Sequence, residues 1–390
     1  MKVLVVMGTR PEAIKLAPVV AALRRRKGLR TFVCATAQHR ELLDQALGLF
    51  SLKPDFDLDL MRPGQTPGAL AKRAAASLGP LLEGLRPDMV VVQGDTTTAA
   101  AAALCAFERN IPVAHVEAGL RSFDLNDPFP EERNRIVIDA LSTIIFPPTP
   151  AARDNLKKEK LSSRMMFLTG NTVVDALNSV NSAEGGKAPS RLTPHEVLVT
   201  LHRREIHGKP LKRIYKALLA LVKRHEDLLF VYPVHPTPLI LKTAKRMLRH
   251  PRIRLLPPQP YREFLSLLKR SLFVITDSGG VQEEAVCLGK PVLVAREKTE
   301  RPEVLSSGAG RLVGLDPRKL AFWAEKLLEN PALLRRMSRV PNPYGDGRAA
   351  ERVAAGVAHW FGLARKPRDW KPTAPQGSGS WAKFRAGGIW

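Results

Sequence analysis

The 390-residue chain has only three cysteines, 6% aromatic residues and a shortage of acid against base. Cys34, Cys105 and Cys287 are odd in number and far apart, so neither a disulfide framework nor a zinc pattern emerges. They read as small core residues in a reducing, cytoplasmic setting. No apolar run reaches the ~18 residues that span a membrane. The apolar part of MKVLVVMGTRPE is too short for a signal peptide and meets a turn rather than a small-residue cleavage site, so it reads as a first buried strand. The scarcity of aromatics, without an RNP-like or zinc-finger pattern, argues against nucleic acid. Yet 61 Lys and Arg stand against 37 Asp and Glu, a net +24 that favours anionic partners. Clusters such as LRRRKGLR (Leu23 to Arg30) close amphipathic helices, where cations complement the negative helix end. A nucleotide or phosphorylated metabolite suits the charge equally, and the high isoelectric point has no functional account of its own.

What is present is alternation. Single cores rarely grow past ~250–300 residues, so the length implies two domains. Short apolar runs alternate with helical patterns: KVLVVMG, TFVCAT, DMVVVQG, PVAHVE, TIIFPP and FLTG, then EVLVTLH, LLFVYPV, RIRLLPP, LFVITDS and PVLVAR. Helical stretches such as PEAIKLAPVVAALRRR and REFLSLLKR lie between them. This is the α/β pattern of parallel sheets covered on both faces, in two doubly wound, Rossmann-like series. The expected organisation is a first domain over residues 1–180, a Ser/Gly/Pro-rich linker over 181–194 and a second domain over 195–364, with a last helix able to return to the first domain. Residues 365–390, rich in Pro, Gly and Ser with scattered aromatics and no period, read as a disordered tail.

Ligands of doubly wound folds bind outside the carboxyl ends of the strands, so the residues after each strand are the candidates. GTRPEAIK places Arg10 and Lys15 near the positive end of a helix dipole. A bound anion would relieve that conflict; an ion pair with Glu12 or a neighbour is the other explanation. Asp95 follows DMVVVQG and serves equally as a site carboxylate or a helix N-cap. HVEAGLRSFDLNDPFPEERNR then gathers Glu117, Asp124, Asp127, Glu131 and Glu132 in a basic chain, with Arg121, Arg133 and Arg135 as candidates to neutralise and orient them. In the second series, EVLVTL runs into His202, Arg203, Arg204 and Glu205, a pattern for anion or general-acid chemistry. His202 and His207 are not spaced as two metal ligands on one helical face. His235 follows LLFVYPV, where a loop would hold it as readily as a site. In LFVITDSGGVQEEA, Asp277 and Ser278 precede Gly279 and Gly280, which let a backbone approach a ligand. The free amides of the following helix can cradle phosphate, and Glu283 or Glu284 one turn on can accept hydrogen bonds from ribose hydroxyls. An ordinary strand–turn–helix would use the same glycines.

Eleven motifs then stand in one order: GTRPE, QGDT, HVEAGLR, PFPEERNR, LTGNTVVDAL, HRRE, YPVH, TDSGGVQEEA, GKPVLV, TERPE and NPYGDG. Together they resemble the non-hydrolysing UDP-N-acetylglucosamine 2-epimerases, from Met1 to about Phe361. The resemblance implies a glycosyltransferase-B-like architecture, two Rossmann-like domains facing across a cleft, often as a homodimer. It implies interconversion of UDP-GlcNAc and UDP-ManNAc for bacterial surface polysaccharide, with no metal, nicotinamide or other cofactor. C2 of the sugar bears no acidic proton. The family therefore eliminates UDP across C1–C2 to 2-acetamidoglucal and adds it back with a proton delivered to the opposite face. By resemblance Asp95, Glu117 and Glu131 are the carboxylates at C2, base and acid not being assignable from sequence. Arg10, Lys15, His202, Ser278 and Gly279 converge on the diphosphate. Arg135, Arg203, His235 and Gly280 complete the binding set. Glu284 holds the ribose, Phe264 lies by the uracil and Arg301 contacts the ligand.

The chain also departs from the family. The segment that holds a second, activating UDP-GlcNAc in many bacterial members reads Gln38-His39-Arg40-Glu41, and Gly64 stands where an arginine precedes a Gln-Thr pair, here Gln65-Thr66. Weak or altered activation by substrate is the expectation. Ile206 replaces the usual asparagine after HRRE. A hydrolysing relative that releases ManNAc and UDP, a glycosyltransferase of the same architecture, and a binder of anions or nucleic acid are the competing functions.

Overall fold

The computed structural model of the chain describes residues 1–38, 40–62, 64–182 and 195–372. The first half holds β1 (Lys2–Met7), β2 (Arg30–Ala35), β3 (Phe56–Asp57), β4 (Met89–Gln93), β5 (Val113–Val116), β6 (Ile144–Phe146) and β7 (Met165–Met166). The second holds β8 (His195–Thr200), β9 (Leu228–Pro233), β10 (Ile253–Leu256), β11 (Val274–Thr276), β12 (Val292–Val294) and β13 (Gly310–Leu312). They form two sheets, in the orders β3-β2-β1-β4-β5-β6-β7 and β10-β9-β8-β11-β12-β13. The pairings are parallel, with Lys2 opposite Arg30 and Met7 opposite Ala35 along β1 and β2. β4 is buried along its whole length and β1 along all but its first residue. Strands covered on both faces read as unbroken Val and Leu runs rather than alternating ones.

Strand order reverses between β1 and β4 in the first sheet and between β8 and β11 in the second. Such switch points leave a crevice at the carboxyl ends. This is the two-Rossmann architecture read from the alternation. Two edge strands were not legible: β3 and β13 have two and three residues, too few to carry a pattern. FLTG is irregular, the strand before it being β7.

The Ala349–Trp360 helix packs on the Arg10–Arg24 and Thr172–Ser182 helices of the first sheet. Val353, Ala354 and Val357 join the same buried cluster as Val3, Val5 and Phe146. Its start is capped from the first half, because the Asp175 carboxylate accepts from the Ala349 and Ala350 amides at 3.1 and 3.0 Å. GNTVVDAL and NPYGDG meet here too: the Asn171 amide donates to the Tyr344 carbonyl at 2.6 Å. The Thr172–Ser182 helix takes up the first two residues of the expected linker, and residues 183–194 lie outside the described residues. The tail expectation needs correction up to residue 372. Trp370 is buried, its amide donates to the Leu168 carbonyl at 2.8 Å, and Asp369 accepts from the Leu168 amide at 3.1 Å. Burial of one large indole outweighs a polar, unpatterned composition. Residues 373–390 lie outside the described residues.

Candidate active site

A cavity of about 680 Å³ lies between the carboxyl ends of the two sheets. Lys15, Asp95, Glu117, Glu131, His202, Arg203, Ser278, Gly279, Gly280 and Arg301 line it, whereas Arg10, Arg135, His235, Phe264 and Glu284 do not.

On the second-half wall, β11 delivers Ser278 to the start of the Gly279–Cys287 helix. Gly279 is required there: a Cβ would stand 2.5 Å from Cζ and Nη1 of Arg301. Buried Asp277 accepts from the His202 and Arg203 amides at 2.7 and 2.8 Å and lies 3.2 Å from His202 Nδ1, so it fixes the loop after β8. Burial lowers the His202 pKa against the pull of Asp277, and Arg203 and Arg10 lower it further, which keeps the ring neutral at pH 7. His235 stacks on His202, rings 5.4 Å apart and 14° from parallel, and supports it from outside the cavity.

The opposite wall carries the carboxylates. Glu117 has φ +67°, a left-handed conformation rare outside glycine. Such strain costs of order 1–3 kcal/mol and persists only where its surroundings fix it. The Glu117 and Ala118 amides both donate to the Phe146 carbonyl, at 3.1 and 3.3 Å. Glu117 pairs with Lys15 and stands 3.7 Å from Arg301. Asp95 pairs with Arg135, which also holds Glu132 at 2.8 Å. Glu132 in turn accepts from the Ser122 and Phe123 amides at 2.9 and 3.1 Å. Arg135 therefore works from behind the wall. Glu131 has a buried Oε2 with no partner among the described residues. Burial, then the charge of Asp95, raises its pKa and favours the protonated acid.

Neither of the other two arginines of this segment pairs with its crowded carboxylates among the described residues. Arg121 forks onto Glu159 at 2.6 and 2.5 Å and reaches Asp139 at 2.7 Å. Asp139 also faces His115 Nδ1 at 2.6 Å and the Gly119 amide at 3.1 Å, which locks the turn after Glu117. Arg133 donates to the Leu125 carbonyl and Asn126 and lies over the Phe129 ring at 5.2 Å, closing its own loop. Asp124 and Asp127 reach across to the second half, to Lys298 at 2.9 Å and Arg296 at 3.4 Å.

Arg10 does not pair with Glu12. It donates to the Gln259 carbonyl at 3.2 Å. Near it, burial pushes the Glu284 carboxyl up to about 7, against the pull of the nearby Tyr261 hydroxyl and the charge of Arg10. Phe264 is buried in the core beside them. Glu12 itself lines the cavity and was missed as a site residue. It accepts from the Gly8 amide at 3.0 Å and from the Thr9 and Thr96 hydroxyls at 2.8 Å each. Burial pushes its carboxyl up to about 7. Glu300 was missed too, and Glu283, read beside Glu284 as a ribose acceptor, has another role: both are buried and hold Arg301. A carboxylate one position from an expected ligand was the available signal for Glu283. At the far end of the cavity stand Gln38, Arg62, Gly64, Gln65 and Thr66. Arg40 turns away to Asp57, with two bonds of 2.7 Å, and to Asp59 at 3.0 Å.

Among the described residues, no helix is long and apolar enough to cross a membrane. The sequence pattern of the UDP-N-acetylglucosamine 2-epimerase family matches residues 21–358. The Escherichia coli K12 UDP-N-acetylglucosamine 2-epimerase is 46% identical over 365 residues, covering 90% of this chain and 97% of that one. The Bacillus subtilis enzyme of the same name is 43% identical, covering 95% and 98%. The Staphylococcus aureus MnaA structure solved with UDP superposes with a TM-score of 0.89 at 39% identity, covering 95% of this chain and all of the other. The Neisseria meningitidis UDP-GlcNAc 2-epimerase bound to UDP-GlcNAc gives 0.87 at 41%, covering 92% and 100%. Acinetobacter baumannii MurG, 15% identical with a TM-score of 0.55, shares the fold alone. The chain belongs to the UDP-N-acetylglucosamine 2-epimerase family.

Proposed function

We propose that the chain interconverts UDP-GlcNAc and UDP-ManNAc without hydrolysis, by elimination and re-addition of UDP, and so supplies ManNAc units for surface polysaccharide. One observation carries this reading: Asp95, Glu117 and Glu131 face the Ser278–Gly280 helix start across a single cavity. The diphosphate lies on the Ser278, Gly279 and Gly280 amides, with Lys15, His202, Arg203 and Arg301 around it and Arg10 beside the nucleoside. These donors stabilise charge as the C1–O bond breaks; one well-aimed donor is worth ~3–4 kcal/mol in the barrier. Glu117, with Asp95 next along the wall, takes the C2 proton. The C–H electron pair becomes the C1=C2 bond of 2-acetamidoglucal, and the C1–O pair leaves with UDP. A UDP oxygen then re-attacks C1 while Glu131 protonates the other face of C2. Solvent exchange resets both carboxyls, and the reverse reaction swaps their roles. Arg135 and His235 position Asp95 and His202, Glu284 meets the ribose, and Phe264 backs the uracil pocket.

Activation by a second UDP-GlcNAc is weak or altered, because Arg40 is committed to Asp57 and Asp59. The enzyme acts as a homodimer in the cytoplasm. Leu104, Phe107 and Val137 are exposed on two adjacent helices and fit a subunit contact, and three unpaired cysteines fit a reducing compartment. Product analysis separates the candidate activities. UDP-GlcNAc should yield UDP-ManNAc to a fixed ratio with no free sugar. Free ManNAc would indicate the hydrolysing reaction, and turnover only with an added acceptor a glycosyltransferase. Glu117→Gln, Asp95→Asn and Glu131→Gln should each lose about 10²–10⁴-fold in kcat while still binding UDP.

A further inference from the structure

We propose that Glu283, which does not line the cavity, is a positioning residue that keeps Glu117 basic by sharing Lys15 and Arg301 with it. The proposal rests on the reading of Glu117 as the base. Glu283 is completely buried on the Gly279–Cys287 helix. Its Oε2 lies 2.7 Å from Lys15 Nζ, and its Oε1 accepts from Arg301 Nε at 2.8 Å. Glu117 engages the same two cations from the other side, Lys15 in direct contact and Arg301 at 3.7 Å. Two carboxylates thus divide two cations in a buried cluster that joins both halves of the chain and borders the cavity. A carboxylate alone between Lys15 and Arg301 would be a poor base, because two adjacent cations stabilise its ionised form. A second carboxylate on the same cations removes part of that stabilisation.

The charged groups facing Glu117 are Lys15 on the Arg10–Arg24 helix, Glu283 on the Gly279–Cys287 helix, and Arg301 at the start of the Pro302–Ser306 helix. Arg301 is drawn further from Glu117 by Glu300, and the charge of Asp95 also reaches it. Burial raises the Glu117 pKa, Lys15 opposes this, and Glu283 adds to the rise. Burial works against ionised Glu283 as well, but Lys15 and Arg301 prevail and hold it below its ordinary value. The asymmetry matches a division of labour: Glu283 is the permanently charged partner, and Glu117 is the one that exchanges a proton.

Glu283→Gln keeps the shape and removes the charge. With substrate saturating, the acid limb of kcat should move to lower pH and the plateau should fall about tenfold, while KM changes less than about twofold. A limb that stays in place, or a loss confined to KM, overturns the proposal; a purely structural role would lower stability without moving the limb. A second measurement needs no turnover. In urea unfolding at pH 7, Glu117→Gln and Glu283→Gln each leave the remaining carboxylate with both cations, and the double variant leaves Lys15 and Arg301 with neither. The double variant should lose more stability than the two single losses combined. Additive losses would refute the sharing even if the wild-type protein proved to have another activity.

Discussion

Replacing Gly279 by alanine tests how the anion cradle is built. The new Cβ would stand 2.5 Å from Cζ and Nη1 of Arg301 and 2.9 Å from Nε. Ordinary carbon contacts begin near 3.5 Å, so the guanidinium must retreat by roughly 1 Å. It is not free to do so, since Nε donates to Glu283 at 2.8 Å and Nη1 to Glu300. A charged hydrogen bond is worth about 1.5–3 kcal/mol: losing one to Glu283 or Glu300 lowers stability by that amount, and losing the one from the displaced guanidinium to the diphosphate predicts UDP affinity lower by about 10- to 150-fold. The neighbouring glycine is the control: a Cβ on Gly280 meets nothing within 4 Å in the free protein. Gly280→Ala should leave the urea midpoint of the ligand-free protein unchanged or slightly raised, and Gly279→Ala should lower it. Calorimetry with UDP completes the comparison. If Gly279→Ala binds UDP with wild-type affinity and unfolds with Gly280→Ala, the tight seat of Arg301 is not what holds the diphosphate.

Other perturbations give equally definite outcomes. Glu131 must enter the cycle protonated, so activity should fall as pH rises through its raised pKa; Glu131→Gln should abolish that alkaline limb in a pH–kcat profile. Burial pushes the Asp175 carboxyl from 3.8 up to about 6, offset in part by the Ala350 and Ala349 amides. A raised carboxyl gives stability that is full below its unfolded value and lost as pH rises through the folded one. The wild type should therefore lose about 2 kcal/mol between pH 4 and 6 relative to Asp175→Asn, out of about 3 kcal/mol over the whole transition, read from urea midpoints. Trp370→Ala, at a side chain only 4% exposed, should cost about 3 kcal/mol in thermal or urea unfolding. No change there would mean that residues 365–370 add nothing to the first half.

The sequence revealed most where chemistry sits at strand ends. Asp95, Glu117, His202, Ser278 and Gly279 each follow a recognisable apolar run, and the fold gathers them because the carboxyl ends of parallel strands share one edge. It revealed little where partners are distant along the chain. Arg121 was expected to neutralise nearby carboxylates and instead holds Glu159 and Asp139, while Arg135, expected both to orient those carboxylates and to bind the substrate, holds Glu132 and Asp95 from behind the cavity wall. Glu283 was passed over for its neighbour Glu284, because a helix places adjacent residues on different faces and sequence does not say which face meets Lys15. Trp370 lay in a stretch with no period, and a single docked indole leaves no pattern to read.

The central claim is that C2 loses its proton to the enzyme and regains one on either face while UDP is detached. The most direct test is incubation of the full chain with UDP-GlcNAc in D₂O, followed by proton NMR. The account predicts UDP-ManNAc and UDP-GlcNAc that both carry deuterium at C2 as equilibrium is approached, with no free sugar. UDP-ManNAc that retains the original proton at C2 would contradict it.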